Sequence, residues 1–363
     1  MRILHFADLH LDAPFAWADS RVAGIRRRNR RRTLERIAEL VGELHADVLT
    51  SGGDLFEHDR VGPDTIAFLR NTLGGVGCPV YLAPGNHDWF GPPSPYARRD
   101  WPANVHVFTE DRLTAAALAD GITLWGAAHR APANTGDFFA GFRPDRGGIH
   151  LAVAHASENG GLTFEGPGKR PHAPFDAAEL EQAGIAFALL GHFHQPRVAG
   201  HHLYPGNPDP LEFGETGDRG AVLVTIGADG TVELDTKRVA ASAVHDVLIR
   251  LDGAEHREEV AARVGAVVAD LKGSVRVTLS GEVAPTLQLD LAELARCGEH
   301  LDGLVVRVRG LTERSDLDAL ALEPTVRGQF IRDARAIADP DIRQRVMRTG
   351  LRALDGRDDL EVG

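Results

Sequence analysis

Histidine, aspartate and asparagine recur in five short motifs between residues 8 and 194: Asp8-Leu9-His10, Gly53-Asp54, Gly85-Asn86-His87-Asp88, Ala154-His155 and Gly191-His192-Phe193-His194. Seven of these side chains carry donors that divalent cations accept: Asp8, His10, Asp54, Asn86, His155, His192 and His194. Carboxylate, amide oxygen and imidazole without thiolate suit Mn²⁺ first, with Fe or Zn²⁺ as the other fits, and argue against Cu(I) or an iron–sulfur cluster. Asp54 reads as a carboxylate that gives one oxygen to each of two ions. Two such ions lower the pKa of a water between them and clamp phosphate oxygens, so that hydroxide attacks phosphorus in line with the leaving oxygen. The donor set therefore points to a two-metal phosphoesterase. A single His in a glycine-rich loop is ordinary; the ordered set of five motifs carries the reading.

Each motif sits where an apolar run ends in a loop. Arg2–Ala7 reads as a buried strand leading to Asp8, Val48–Ser51 leads to Gly52-Gly53-Asp54, and Val80–Ala83 leads to Pro84-Gly85-Asn86. Ile149–Ala154 leads to His155, and Phe187–Leu190 to Gly191-His192. Helical patterns alternate with these strands. Leu34, Ile37, Val41 and Leu44 recur at helical spacing, Asp64–Leu73 follows a first-turn Pro63, and Ala177–Ala183 is helical. Thr123–Gly126 adds a strand, and Ala221–Ile226 with Val232–Leu234 reads as a closing hairpin around Asp229-Gly230. The alternation predicts an α/β fold, a β core flanked by helices, with ligands at the C-terminal strand ends. On an extended chain Asp8 and His10 project to one side, as do His192 and His194. The preceding glycines allow the sharp turns that gather these side chains. Two long loops, one reaching Gly148 and one over Glu158–Pro174, read either as walls of a mouth or as surface excursions.

At 363 residues the chain exceeds one ordinary core. A boundary is expected at 240/241, with residues 1–240 carrying the motifs and 241–363 forming an accessory domain. There, strand His245–Leu251, helix Glu255–Leu271, strand Ser274–Ser280, helix Leu289–Arg296 and strand Leu304–Val308 predict a small α+β unit. Helices Val326–Ile337 and Ile342–Leu354 follow, divided by Asp339-Pro340. A formal net charge of −12 excludes nucleic-acid binding through the overall field, so DNA would need a local basic patch. No run of about 18 apolar residues predicts a membrane span. Met1 leads straight into a strand rather than a signal peptide. Cys78 and Cys297 form no CxxC, so neither structural zinc nor a disulfide framework is expected, and the expected location is cytoplasmic.

The ordered motifs resemble those of the calcineurin-like metallophosphoesterase superfamily, over roughly residues 1–235. The resemblance implies an αββα sandwich. It implies one ion held by Asp8, His10, Asp54 and His194, and the other by Asp54, Asn86, His155 and His192. It gives His87 the role of protonating the leaving group or stabilising the charged transition state. Related phosphatases place an Asp three residues after the bridging carboxylate, and repair nucleases a His. Here Glu57 holds that position as expected support for His87, and His58 falls one residue late. Asp88 reads either as support for the ligand loop or as a turn residue capping its own loop. The stretches Ile3–Asp12, Gly53-Asp54-Leu55-Phe56 and Tyr204-Pro205-Gly206-Asn207-Pro208 are similar to the SbcD-like DNA repair exonucleases, and Asp12-Ala13-Pro14-Phe15 to their bacterial YhaO-like group.

One further feature bears on the substrate. Arg26, Arg27, Arg28, Arg30, Arg31 and Arg32 put six guanidiniums into seven positions, too many to bury together. Their planar donor forks suit phosphate, so the run reads as a grip on a DNA backbone, or else as a solvated helix. The resemblance also implies that the accessory domain is a cap and that its last helices dock on an SMC-like ATPase. Val326, Phe330, Ile331, Ala334 and Ile337, then Ile342, Val346, Leu351 and Leu354, supply apolar positions for that docking or for packing on the cap. The expected function is a DNA exo- or endonuclease in repair, with DNA, an SMC-like ATPase and a second copy of the chain as partners and no membrane. The competing readings are a small-molecule phosphatase or cyclic-nucleotide phosphodiesterase of the same fold, and a non-enzymatic subunit, which a broken ligand set would favour.

Overall fold

The computed structural model describes residues 1–98, 100–119, 121–160, 171–284, 286–314, 316–354 and 356. Two units divide the chain, Met1–Ser242 and Ala243–Gly363.

Two six-stranded sheets build the first unit. One has the order β14 (Val232–Arg238), β13 (Gly220–Ile226), β1 (Arg2–Phe6), β2 (Val48–Ser51), β3 (Val80–Leu82), β4 (Val105–Val107). The other has the order β11 (Arg197–Ala199), β12 (His202–Tyr204), β10 (Phe187–Gly191), β7 (Ile149–His155), β6 (Ile122–Gly126), β5 (Thr114–Ala119). β1 through β4 are parallel, as are β6, β7, β10 and β12, so each sheet gathers several C-terminal strand ends on one rim. Period-two alternation splits β1 between two cores. Ile3 faces inward with Val48 and Val224 against Leu124, Val153 and Leu189 of the other sheet. Leu4 and Phe6 face outward under α1 (Ser20–Glu43) and α2 (Pro63–Gly74), meeting Leu34, Ile37 and Leu69. The short α3 (Ala177–Gln182), with Phe138 and Phe139, covers the outer face of the second sheet. This is the αββα sandwich that the motif order implied. β8 (Ser157–Glu158) and β9 (Pro174–Phe175) pair in parallel, and residues 161–170 of the loop expected between them lie outside the described residues.

α1 corrects the reading of the arginine run. Asp19 caps it, accepting the Val22 N–H at 2.7 Å. Its inward stripe runs through Val22, Arg26, Arg30, Thr33 and Ile37. Arg26 and Arg30 are fully buried, so neither can grip DNA. Both guanidiniums lie 5.4 Å from the Phe15 ring centre. Arg30 donates to the Leu9 carbonyl and, at 2.9 Å, to the Asp209 carbonyl; Arg26 donates to the Pro210 carbonyl. Buried carbonyls without water need such donors, which is what draws the two arginines inward. Arg31 pairs with Asp64 at 2.6 Å. Arg27 is half-buried, while Arg28 and Arg32 are exposed on the side of the helix facing away from Leu9.

In the second unit β15 (Val244–Arg250), β16 (Ser274–Val283) and β17 (Gly303–Glu313) form a wholly parallel sheet, joined through α4 (Arg257–Val268) and α5 (Leu291–Ala295). Val260, Val264 and Val268, one turn apart, pack on Val275, Val277 and Leu279. α6 (Leu317–Leu322), α7 (Val326–Ala334) and α8 (Pro340–Leu354) share a small core of Ile331, Ala334, Met347 and Leu351. α6 was not expected; six residues are too few to show helical period.

Candidate dinuclear metal centre

The seven donor side chains meet at the C-terminal ends of β1, β2, β3, β7 and β10. The approach is close enough to demand glycine. A Cβ on Gly52 would lie 2.6 Å from the Gly191 nitrogen, and one on Gly85 would lie 2.2 Å from Asp54 Oδ1. The ligand backbones are not extended. Asp8 (φ +56°), His10 (+47°), Asp54 (+54°) and His192 (+112°) all take positive φ, at about 1–2 kcal/mol each. Strand alternation therefore does not aim Asp8 with His10, or His192 with His194; β1 ends at Phe6, and each ligand is turned individually.

Hydrogen bonds fix the imidazoles so that lone pairs face one another. His10 gives its Nδ1–H to Glu57 Oε1 at 2.8 Å, and His194 gives its own to Glu215 Oε1 at 2.7 Å. Their Nε2 atoms, stripped of protons by that assignment, lie 3.2 Å apart. His155 gives Nδ1–H to the Gly52 carbonyl at 2.8 Å. Its Nε2 faces Asn86 Oδ1 at 3.0 Å, His192 Nδ1 at 3.2 Å and Asp54 Oδ2 at 3.2 Å. Lone pairs crowded in this way need a positive charge among them, which a proton or a cation supplies. The donor set thus fits two cations, one among Asp8, His10, Asp54 and His194, the other among Asp54, Asn86, His155 and His192. Asp54 Oδ2 lies 3.7 Å from His10 Nε2 and 3.2 Å from His155 Nε2, and Asp8 too clusters within 4.8 Å with His10 and His194 and with Asp54 and His155. Asp54 Oδ1 accepts the His87 backbone N–H at 2.8 Å. Burial opposes protonation of His155, yet the Asp54 carboxylate outweighs it and draws the ring to about 9, so this position calls for positive charge.

His87 stands at the rim with its side chain 45% exposed and its Nδ1 2.8 Å from Glu57 Oε2. That bond raises its pKa to about 9, with burial opposing. Burial would raise Glu57, but His10 and His87 prevail and hold it at about 2. One carboxylate thus orients both a ligand and the rim histidine. His58 instead stacks on Trp89 at 4.6 Å. Asp88, expected either as support for the ligand loop or as a turn residue, does not enter the pocket. It is fully buried and accepts the N–H groups of Asp54 (3.0 Å), Leu55 (2.8 Å) and Gly85 (2.6 Å) and the Tyr96 hydroxyl (2.7 Å), tying two ligand loops together.

Glu215 escaped the sequence reading. Besides His194 it accepts from Asn207 Nδ2 at 2.6 Å and from the backbone N–H groups of Leu211 at 2.5 Å and Glu212 at 3.2 Å. The only sequence signal lay nearby, in Tyr204-Pro205-Gly206-Asn207-Pro208. Glu215→Gln should weaken the cation held with His194 by about 10–100-fold and spare the other. Calorimetric Mn²⁺ titration reads this as one weakened step of two; two unchanged steps would show that Glu215 does not set the ring.

A sandwich carrying this donor set on its rim defines a metallophosphoesterase. The model of the family "Calcineurin-like phosphoesterase" matches residues 1–196, and the chain belongs to that family. Among curated proteins, it is 28% identical over 263 residues to "Uncharacterized metallophosphoesterase YhaO" of Bacillus subtilis (strain 168), covering 68% of this chain and 61% of that one. It is 28% identical over 295 residues to "DNA double-strand break repair protein Mre11" of Methanopyrus kandleri, covering 73% and 62%. The chain spans about three fifths of the length of these relatives. The solved structure of TT1561 of Thermus thermophilus aligns over 65% of this chain and 98% of its own at 13% identity, with a TM-score of 0.39. Among the described residues no helix is long and apolar enough to cross a membrane.

Proposed function

We propose that this phosphoesterase cuts phosphodiester bonds in DNA, as an exo- or endonuclease in repair, with Mn²⁺ as its cation. The observation that carries the hydrolytic part is the convergence of carboxylate, amide and imidazole groups beside His87. The DNA part draws support from the likeness to the Methanopyrus kandleri protein. Bound cations supply Lewis acidity toward the phosphate and lower the pKa of water. The chain's own groups do the rest. Glu57, the Gly52 carbonyl and Glu215 engage the Nδ1 atoms of His10, His155 and His194 and so turn each Nε2 toward the pocket. Glu57 fixes the His87 tautomer so that Nε2 presents a proton to the pocket, where the leaving oxygen takes it. Asp88 keeps the Asp54 and Gly85 loops in register. Of the arginine run, Arg27, Arg28 and Arg32 remain as DNA contacts. Ile342 and Val346, exposed on α8, are the apolar positions on which an ATPase partner would dock.

Cleavage of linear duplex, plasmid, single strands and bis(p-nitrophenyl) phosphate in Mn²⁺ tests the reading. DNA is expected to be cut, and His87→Ala to lower kcat by about 10²-fold while Mn²⁺ stoichiometry holds. Turnover of the small diester with every DNA form intact would overturn the substrate assignment in favour of a small-molecule phosphodiesterase.

A further inference from the structure

We infer that His172 is a substrate contact, its imidazole donating a hydrogen bond to a phosphate oxygen on the flank of the second cation; this rests on the two-cation reading and not on DNA as the substrate. Among the described residues three imidazoles outside the ligand set pack against ligand rings. His87 meets His10 with ring centres 4.8 Å apart, His129 meets His155 at 5.5 Å, and His172 meets His192 at 5.3 Å. His192 places its Nδ1 3.2 Å from His155 Nε2, so His172 stands one ring away from the second donor group. His87 serves the leaving oxygen. A phosphate clamped by two cations keeps further oxygens on the other flank, and these too need donors. His129 cannot supply one. It is fully buried, gives its Nε2–H to the His155 carbonyl at 2.7 Å and accepts the Thr135 hydroxyl at Nδ1 at 2.8 Å.

His172 is held in place but not used. Just past the ligand His155, β8 pairs in parallel with β9 and fixes the chain that leads into β9. The Ser157 N–H donates to the His172 carbonyl at 2.9 Å, and the His172 N–H donates to Ser157 Oγ at 3.0 Å. The Ala173 N–H donates to the Thr135 carbonyl at 3.1 Å. Ala173 is fully buried at φ +43°, a left-handed conformation that a residue with a Cβ avoids. Such strain persists only where the surroundings impose it, and it gathers at functional sites. The ring delivered this way spends neither nitrogen. Nδ1 is occluded without a hydrogen-bond partner, and the imidazole makes no hydrogen bond or ion pair among the described residues. The residue is half-buried, so the Nε2 edge is the one that solvent and substrate reach. Packing alone would ask for a ring without nitrogen; a rigidly held N–H with nothing to bind is what a phosphate contact presents before its substrate arrives.

Calorimetric titration of orthophosphate into the Mn²⁺-loaded full chain, with steady-state hydrolysis of bis(p-nitrophenyl) phosphate beside it, tests this. His172→Phe keeps a ring against His192 and removes the nitrogens. It is expected to weaken orthophosphate by about tenfold and to raise KM for the diester by about the same factor, with kcat kept within about threefold. His172→Gln restores an N–H and should recover most of the lost affinity. Both variants should take up Mn²⁺ in the two steps of wild type, since neither loses a ligand. Wild-type phosphate affinity in His172→Phe would overturn the contact. Loss of a Mn²⁺ step in that variant would overturn it as well, by showing that the ring acts only through His192. Wild-type protein that takes up fewer than two equivalents of Mn²⁺ counts against the two-cation reading, while the phosphate titration still decides whether His172 binds.

Discussion

Asp54→Ala is expected to abolish binding of both cations together and to lower phosphodiester turnover by at least about 10³-fold. The magnitude follows from the site. Cations at a phosphoryl centre contribute several kcal/mol of transition-state stabilisation, and about 4 kcal/mol is a thousandfold in rate. The selectivity follows from a single atom. Asp54 Oδ2 faces His10 Nε2 at 3.7 Å and His155 Nε2 at 3.2 Å, so both groups lose an anionic donor when it goes. His194→Ala, by contrast, removes a donor from one group only. Mn²⁺ titration should therefore give two equivalents for wild type, one for His194→Ala and none for Asp54→Ala. Added Mn²⁺ should raise the melting temperature of wild type but not of Asp54→Ala, because ligand binding to the native state is what shifts it. Asp54→Ala that still bound two equivalents would refute a shared carboxylate.

The candidate site was legible because its parts are local. An apolar strand and a donor residue sit within a few positions of each other, with a glycine before the donor in three of the five units, and all five on parallel strands share one rim by topology alone. What local pattern misses is direction. Period-two alternation assumes extended backbone, and Asp8 and His10 lie beyond the end of β1 at positive φ. Nor does it show what holds the carboxylate: Asp54 Oδ1 accepts the backbone N–H of His87, 33 residues away in the next loop. Glu215 was illegible for the same reason. Its tie to His194 spans 21 residues, through β11, β12 and the loop after them, with no period to follow.

Arg30→Met should destabilise the N-terminal unit by about 3 kcal/mol, whereas Arg28→Ala with Arg32→Ala should stay within about 0.5 kcal/mol. Counting charge along Arg26–Arg32 treats the guanidiniums as equivalent, and the helix does not. Arg30 is fully buried; burial pulls its pKa to about 10 while Asp209 opposes, so it stays charged at neutral pH. Its cost of desolvation is met by the Leu9 and Asp209 carbonyls and the Phe15 ring. Leu9 lies between the ligands Asp8 and His10, and Asp209 also accepts the Ser242 N–H at 2.9 Å, so one side chain ties the first ligand loop to the end of the unit. Methionine keeps the stem and leaves two buried carbonyls without donors. Urea unfolding reads the difference, and Mn²⁺ affinity should fall with it, since the Asp8–His10 loop loses its anchor. Equal midpoints for Arg30→Met and the surface double variant would mean that Arg30 is solvated after all, and would return the whole run to the role of a phosphate grip.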